Sequence, residues 1–182
     1  MTAEEITSCF DKAKNAAELK EAYGIVPRRS TAAKLGSLDF INDLRFAMPA
    51  NDIAEKWRKA SKPAYQYVVD QPNPWQASSR PHHAVDLIVL FGGHDLSMVN
   101  PAAAAVGKEM RKKFISFANG VAPWSREKRF AFGPFGESKE IGDGEYAARR
   151  RARHFELLKK SDPGEITSVF AGLAVGRLSL DN

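Results

Sequence analysis

Residues 64–93, AYQYVVDQPNPWQASSRPHHAVDLIVLFGG, decide how the chain is read. Tyr65-Gln66-Tyr67-Val68-Val69 mixes aromatic and β-branched residues in an alternating order and predicts a strand. Prolines at 72 and 74 withhold the amide donors that a ladder needs, so the strand gives way to a long, stiff loop. Beyond Ser78-Ser79-Arg80-Pro81 stand His82 and His83, then Asp86 and the apolar run 87–91, closed by Gly92-Gly93. A histidine on a loop beyond a strand, just ahead of an apolar segment, is a frequent placement for the proton-transfer group of an α/β enzyme. The same residues also fit a capping or packing histidine, and composition alone favours that reading.

The flanking order adds what composition lacks. His83-Ala84-Val85-Asp86-Leu87 through Leu90-Phe91-Gly92 resembles the segment around the triad histidine of the type-B carboxylesterase and cholinesterase family. In that family the histidine is followed three positions later by an acidic residue and nine positions later by the glycine of a Phe-Gly pair; Asp86 and Gly92 hold those offsets from His83. The preceding strand and Pro/Asn/Trp loop, the later Asn100-Pro101, Asn119-Gly120 and Pro123-Trp124 follow the same order. The likeness runs from about Leu38 to Lys160 and is nearest to the fungal branch. It implies an α/β fold, the C-terminal portion of an α/β-hydrolase, mostly helical with a few strands and an incomplete sheet. It also implies a carboxylic-ester hydrolase of the serine type, with His83 as the triad histidine, Asp86 in support, an ester as substrate, and neither cofactor nor metal.

The rest of the composition sets bounds. At 182 residues and 43% hydrophobic, the chain is long enough for one core, and a single, partial domain over 1–182 is expected. A surplus of 27 basic over 22 acidic residues permits contact with polyanions but is too small to argue for it. One cysteine, Cys9, excludes an intrachain disulfide and a multi-cysteine metal site. No apolar run reaches 18 residues and the first residues carry no basic, then hydrophobic, leader, so neither a membrane partner nor secretion is expected from the chain as written.

Elements follow in order. Thr2 and Glu5 have the form of a capping box, with Ile6, Cys9, Phe10 and Ala13 on one helical face. Asn15 and Glu18 repeat the device for a helix from Ala16 to Tyr23 that Gly24 ends. After a polar linker at 27–31, the stretch from Ser37 predicts an inner face of Leu38, Ile41, Leu44 and Phe46, and Asp43 is a residue that could cap or pair with Arg45. Pro49 opens a predicted helix through Lys59 whose stripe is Ile53, Ala54, Trp57 and Ala60. Asn100 and Pro101 start the clearest helix, to Ala118, burying Ala105, Val106, Met110, Phe114 and Phe117. Trp124, Phe130, Phe132, Phe135 and Ile141 predict hairpins packed on a core edge. Asp143 caps a predicted helix through Lys160 whose Arg149 to Lys160 tract reads as a solvated face; no stacking pattern supports nucleic acid there. A last helix starts at Asp162-Pro163.

Ester hydrolysis of this kind also needs a serine on a strained elbow, a buried carboxylate and oxyanion donors, in the chain order serine, acid, histidine. Gly136-Glu137-Ser138-Lys139-Glu140 begins like the elbow, but Glu140 stands where the second glycine belongs, its side chain would crowd the turn, and the segment follows His83, so it reads as a decoy. Cys9, on an apolar helical face, reads as a buried thiol and not as a substitute nucleophile. The family's acidic residue lies further upstream than the 82 residues ahead of His83 reach. The expectation is therefore a truncated chain, inactive alone. Its alternative is a non-catalytic interaction module in which helices at 37–59 and 101–118 bind another chain or self-associate.

Overall fold

The computed structural model describes residues 1–82 and 84–175; His83 and the tail 176–182 lie outside the described residues. In chain order these form α1 (Ala3–Phe10), α2 (Ala16–Tyr23), α3 (Ser30–Asn42), a π turn (Asp43–Ala47), α4 (Met48–Lys59) and β1 (Tyr67–Val69). A 3-10 turn at Ala77–Ser79 leads to α5 (Val85–Phe91) and α6 (Pro101–Ala118), then β2 (Arg129–Phe132), β3 (Ser138–Ile141), α7 (Asp143–Arg150), α8 (Arg153–Lys160) and α9 (Pro163–Val175). The described chain is thus mostly helical with one small sheet, as a partial α/β fold requires. It divides into two compact units, Met1–Ile53 with residues from Ala147 onward, and Ala54–Tyr146.

The first unit is helical because its sequence caps and stripes its own helices. The Thr2 hydroxyl accepts the Glu5 amide at 3.2 Å and the Glu5 carboxylate accepts the Thr2 amide at 2.8 Å, completing the capping box. Ile6 and Phe10 of α1, Leu19 of α2, Phe40 of α3 and Leu173 of α9 are fully buried together. Phe40 is the hub: the rings of Phe10 and Tyr23 meet it edge-on at 5.1 and 5.4 Å. α3 lies so close to the end of α2 that a Cβ on Gly36 would stand 1.9 Å from the Tyr23 carbonyl oxygen.

Three expectations need correction here. Asn15 does not cap α2; its amide donates to the Ser161 hydroxyl at 2.8 Å. α3 starts at Ser30, and its fully buried stripe includes Ala33, Ser37 and Phe40; Ile41 and Leu44 pack partly buried against the same core as expected, whereas Leu38 is 37% and Phe46 62% exposed. The small residues win because they allow the close approach to α2, and the Ser37 hydroxyl satisfies itself on the Ala33 carbonyl at 2.8 Å. On α4, Ile53 and Trp57 are about half exposed and Ala54 alone of the predicted stripe is buried. Helices α3 and α4 are continuous through the π turn, where the Met48 amide donates to the Asp43 carbonyl. A widened turn just ahead of Pro49 relieves the clash that a proline makes with the preceding turn of a regular helix.

The helix predicted from Asp143 to Lys160 is two helices, broken at Arg151 with φ +47°. Arg151 leaves the tract to pair with Asp39 at 2.8 Å, so this part of the basic run is not a free solvated face.

In the second unit β1 pairs parallel with β2 in the register Tyr67–Phe130, Val68–Ala131 and Val69–Phe132, and β2 pairs antiparallel with β3. β1 is an edge strand of the order β1-β2-β3. A parallel pair needs a crossover, which α5 and α6 supply. Asn100 accepts the Ala103 amide at 2.9 Å and Pro101 fills the first turn, so α6 has its predicted start. The core holds Val89, Ala103, Val106, Met110, Trp124, Phe130 and Phe132, with Tyr65 edge-on to Trp124 at 5.9 Å. Ala105, Phe117 and Phe135, expected inside or at the core edge, are exposed. Gly107 takes the place of Ala105 at the interface, because α5 passes too near for a side chain: a Cβ there would meet the Val89 carbonyl oxygen at 2.6 Å.

Candidate active site

The loop after β1 is held at the carboxyl end of the parallel pair. The amides of Asp70 and Gln71 both donate to the Phe132 carbonyl, at 2.8 and 3.1 Å, so the loop starts fixed to the last residue of β2. Gln71 is 2% exposed and accepts the Gly136 amide at 3.1 Å, which binds the turn after β2 to the same place. Gly133, at φ +89°, makes this possible: a Cβ there would stand 2.4 Å from the Gln71 nitrogen.

Asn73 organises the middle of the loop. Its Oδ1 accepts the amides of Trp75 and Gln76 at 2.9 and 3.2 Å, and its own amide donates to the Arg80 carbonyl at 3.3 Å. Its Nδ2 lies 3.0 Å from His82 Nε2. Asn100, already the cap of α6, donates to the Pro74 carbonyl at 3.2 Å and so ties loop to helix. On either side of the histidine pair, Arg80 and Ala84 take positive φ values of +62° and +68°. Such conformations cost about 1–3 kcal/mol each in non-glycine residues and persist only where the surroundings impose them.

Among the residues singled out from sequence, His82 is exposed and bonded to Asn73. His83, the residue on which the resemblance turns, lies outside the described residues. Asp86 is half-buried in the first turn of α5, where the helix dipole favours a carboxylate. It also faces Tyr67 of β1, whose phenol is pushed up first by burial and then by the Asp86 charge. Gly92, at φ +62°, ends α5, the helix into which the apolar run 87–91 folds. His94 meets Trp75 edge-on at 5.4 Å and lines a hollow of about 430 Å3 with Leu96, Gly107 and Arg111. Arg111 donates to the Val89 and Leu90 carbonyls at 2.7 and 3.4 Å, capping α5.

The other two candidates are structural. Ser138 opens β3 opposite Phe132, after a hairpin turn containing Gly136 at φ +85°. That is a turn into a strand and not into a helix, so it is no nucleophile elbow. Cys9 is buried in the core of the first unit beside Gly172. The sequence reading passed over one polar residue entirely, His154, which shares the buried face of α8 with Phe155 and Leu158. A histidine in register with an apolar stripe was the available signal.

The family model described as "Carboxylesterase family" matches residues 2–150. The match begins well ahead of Leu38 and takes in α1 and α2. Lipase 3 of Yarrowia lipolytica (strain CLIB 122 / E 150) is 26% identical over 168 residues, which cover 90% of this chain and 32% of the lipase. The chain therefore spans about a third of the length of that fungal relative. No solved structure matches.

Proposed function

Because the chain belongs to the carboxylesterase family, we propose that it carries the proton-transfer histidine of a serine-type ester hydrolase, His83, and that the serine and its acid partner lie in polypeptide outside it. In this reading His83 takes the proton of the attacking serine hydroxyl, holds it as imidazolium, and returns it to the departing alkoxide. The second half of the cycle repeats the exchange with water as nucleophile. Asp86 supports the histidine indirectly, through the first turn of the helix that the loop enters.

The observation that carries the reading is the loop 70–84. It leaves the carboxyl end of a parallel strand, where open α/β sheets place their chemistry, and clamps from β2, Asn73 and Asn100 hold its approach to the histidine pair from Asp70 to Arg80. A rigid mount of this kind is what a general base needs and a packing histidine does not. The reading predicts no turnover of a p-nitrophenyl ester by the purified chain, because its imidazole has no hydroxyl to deprotonate. Adding the part of the fungal lipase outside the matched region is expected to produce hydrolysis. Hydrolysis by the chain alone that depends on His83 contradicts it.

A second reading, a partner-binding module without catalysis, is favoured by the large apolar side chains that face solvent on the two helical stretches expected to bind another chain. Phe46, Ile53 and Trp57 do so along the first, and Ile115 and Phe117 on α6. Gel filtration of the same mixture separates the two: a stable complex that hydrolyses nothing favours the module.

A further inference from the structure

Asp43 opens the π turn, and its carboxyl is almost completely buried. The Tyr23 hydroxyl of α2 donates to Oδ2 at 3.2 Å, and Asn42 Nδ2 reaches Oδ1 at 3.4 Å. From α8, His154 turns Nδ1 toward the same Oδ2 at 3.9 Å, beyond hydrogen-bond range, and that buried nitrogen has no partner. The His154 ring is itself buried, edge-on to Tyr23 at 4.8 Å. The charges facing the pair are Arg151, which leads into α8, Asp39 of α3, which holds Arg151 at 2.8 Å, and Arg153 at the start of α8. An orphaned buried nitrogen is costly, and so is a buried carboxylate whose nearest cation is engaged elsewhere. One proton between Oδ2 and Nδ1 relieves both, making the carboxyl a neutral donor and the nitrogen its acceptor.

We propose that Asp43 and His154 form a buried proton-binding pair that holds one proton in mildly acid solution and none above neutrality, and that the bound proton latches α8 onto the π turn. Burial, against the pull of Arg151 and the hydrogen bonds from Tyr23 and Asn42, pushes the Asp43 carboxyl up to about 6. Burial also weakens proton binding by the His154 ring, assisted by Arg151 and Arg153 and opposed by Asp39. The first proton therefore goes to the carboxyl.

The signs oppose. The raised Asp43 contributes stability that is complete below its ordinary value of 3.8 and is lost as the pH rises through about 6. The depressed His154 contributes stability that is present above its ordinary 6.5 and is lost as the pH falls through its lower folded value. Since the pair takes up a single proton, only a probe of each residue separates the two.

Two experiments on the full chain test the latch. In the unsubstituted protein, the Asp43 carboxyl carbon and the His154 Nδ1 resonance are expected to shift together with one midpoint near 6 as the pH is lowered. Asp43→Asn offers a neutral donor to Nδ1 at every pH. The difference between about 6 and 3.8 sets the expectation: at pH 7.5 the variant's unfolding constant falls by about a hundredfold, and the gain shrinks toward pH 4. An Asp43 carboxyl that titrates near 4 while His154 takes its own proton near 6.5 overturns the proposal. So does an Asp43→Asn variant that is less stable than the unsubstituted chain at pH 7.5, or fails to fold there.

Discussion

The first unit covers its apolar side chains with its own helices, and the second leaves many of them uncovered. Ile6, Phe10, Leu19 and Phe40 expose nothing in the first, where Phe46, Ile53 and, at the end of α9, Val175 are the most exposed exceptions. In the second, Val106 and Phe132 are as well buried, but Phe91 of α5 is 76% exposed, Met98 of the following loop 90% and Phe135 of the hairpin turn 86%. The second unit also holds the sheet, whose outer parallel strand lies at an edge. Parallel strands are ordinarily sheltered within larger sheets, whereas here one stands at the edge of a three-stranded sheet. Stability and chemistry are thus divided: the unit with the closed core carries no candidate for ester chemistry, and the unit with the mounted loop carries the uncovered surface.

Substitutions can break or sharpen this contrast. Phe10→Ala is expected to cost about 3–5 kcal/mol in chemical denaturation, since it empties the centre of a closed core. Gly133→Ala is expected to cost about 1–3 kcal/mol, because φ +89° and the Gln71 nitrogen leave no room for a methyl group. It should also release the loop 70–84, seen as faster amide exchange at Gln71 and Asn73. Phe91→Ala is expected to stay within about 0.5 kcal/mol of the parent. Equal losses at Phe10 and Phe91 would mean that α5 is covered as fully as α1, and the contrast would fail.

Local chemistry made much of this legible in the sequence. The Thr2/Glu5 box, Gly24, Asn100-Pro101, Gly92 and Asp162-Pro163 mark element ends through hydrogen bonds and backbone preferences that need no distant partner, and all but the Asn15 cap stand where spacing put them. The inner face of α3 was legible only in part: Ile41 packs on the core as spacing put it, but Ala33, Gly36 and Ser37 are buried through the close approach of α2 and not through hydrophobicity. Arg151 illustrates the same limit: within a run of arginines nothing local says which one will leave the helix for Asp39. For the candidate site, the strand, the loop and the helix start were all readable from prolines, asparagines and the 87–91 run. The clamps from Gly133, Gly136 and Phe132 were not, since they lie some sixty residues downstream. Asp43 and His154 escaped for that reason too: each is unremarkable until α8 is packed on the π turn.

The claim that matters most is which imidazole moves the proton. In a mixture of this chain with the uncovered part of the fungal lipase, His83→Ala is expected to abolish turnover of the p-nitrophenyl ester, while His82→Ala, whose exposed side chain bonds Asn73, is expected to retain most of it. A His83→Ala mixture as fast as the parent would contradict the account.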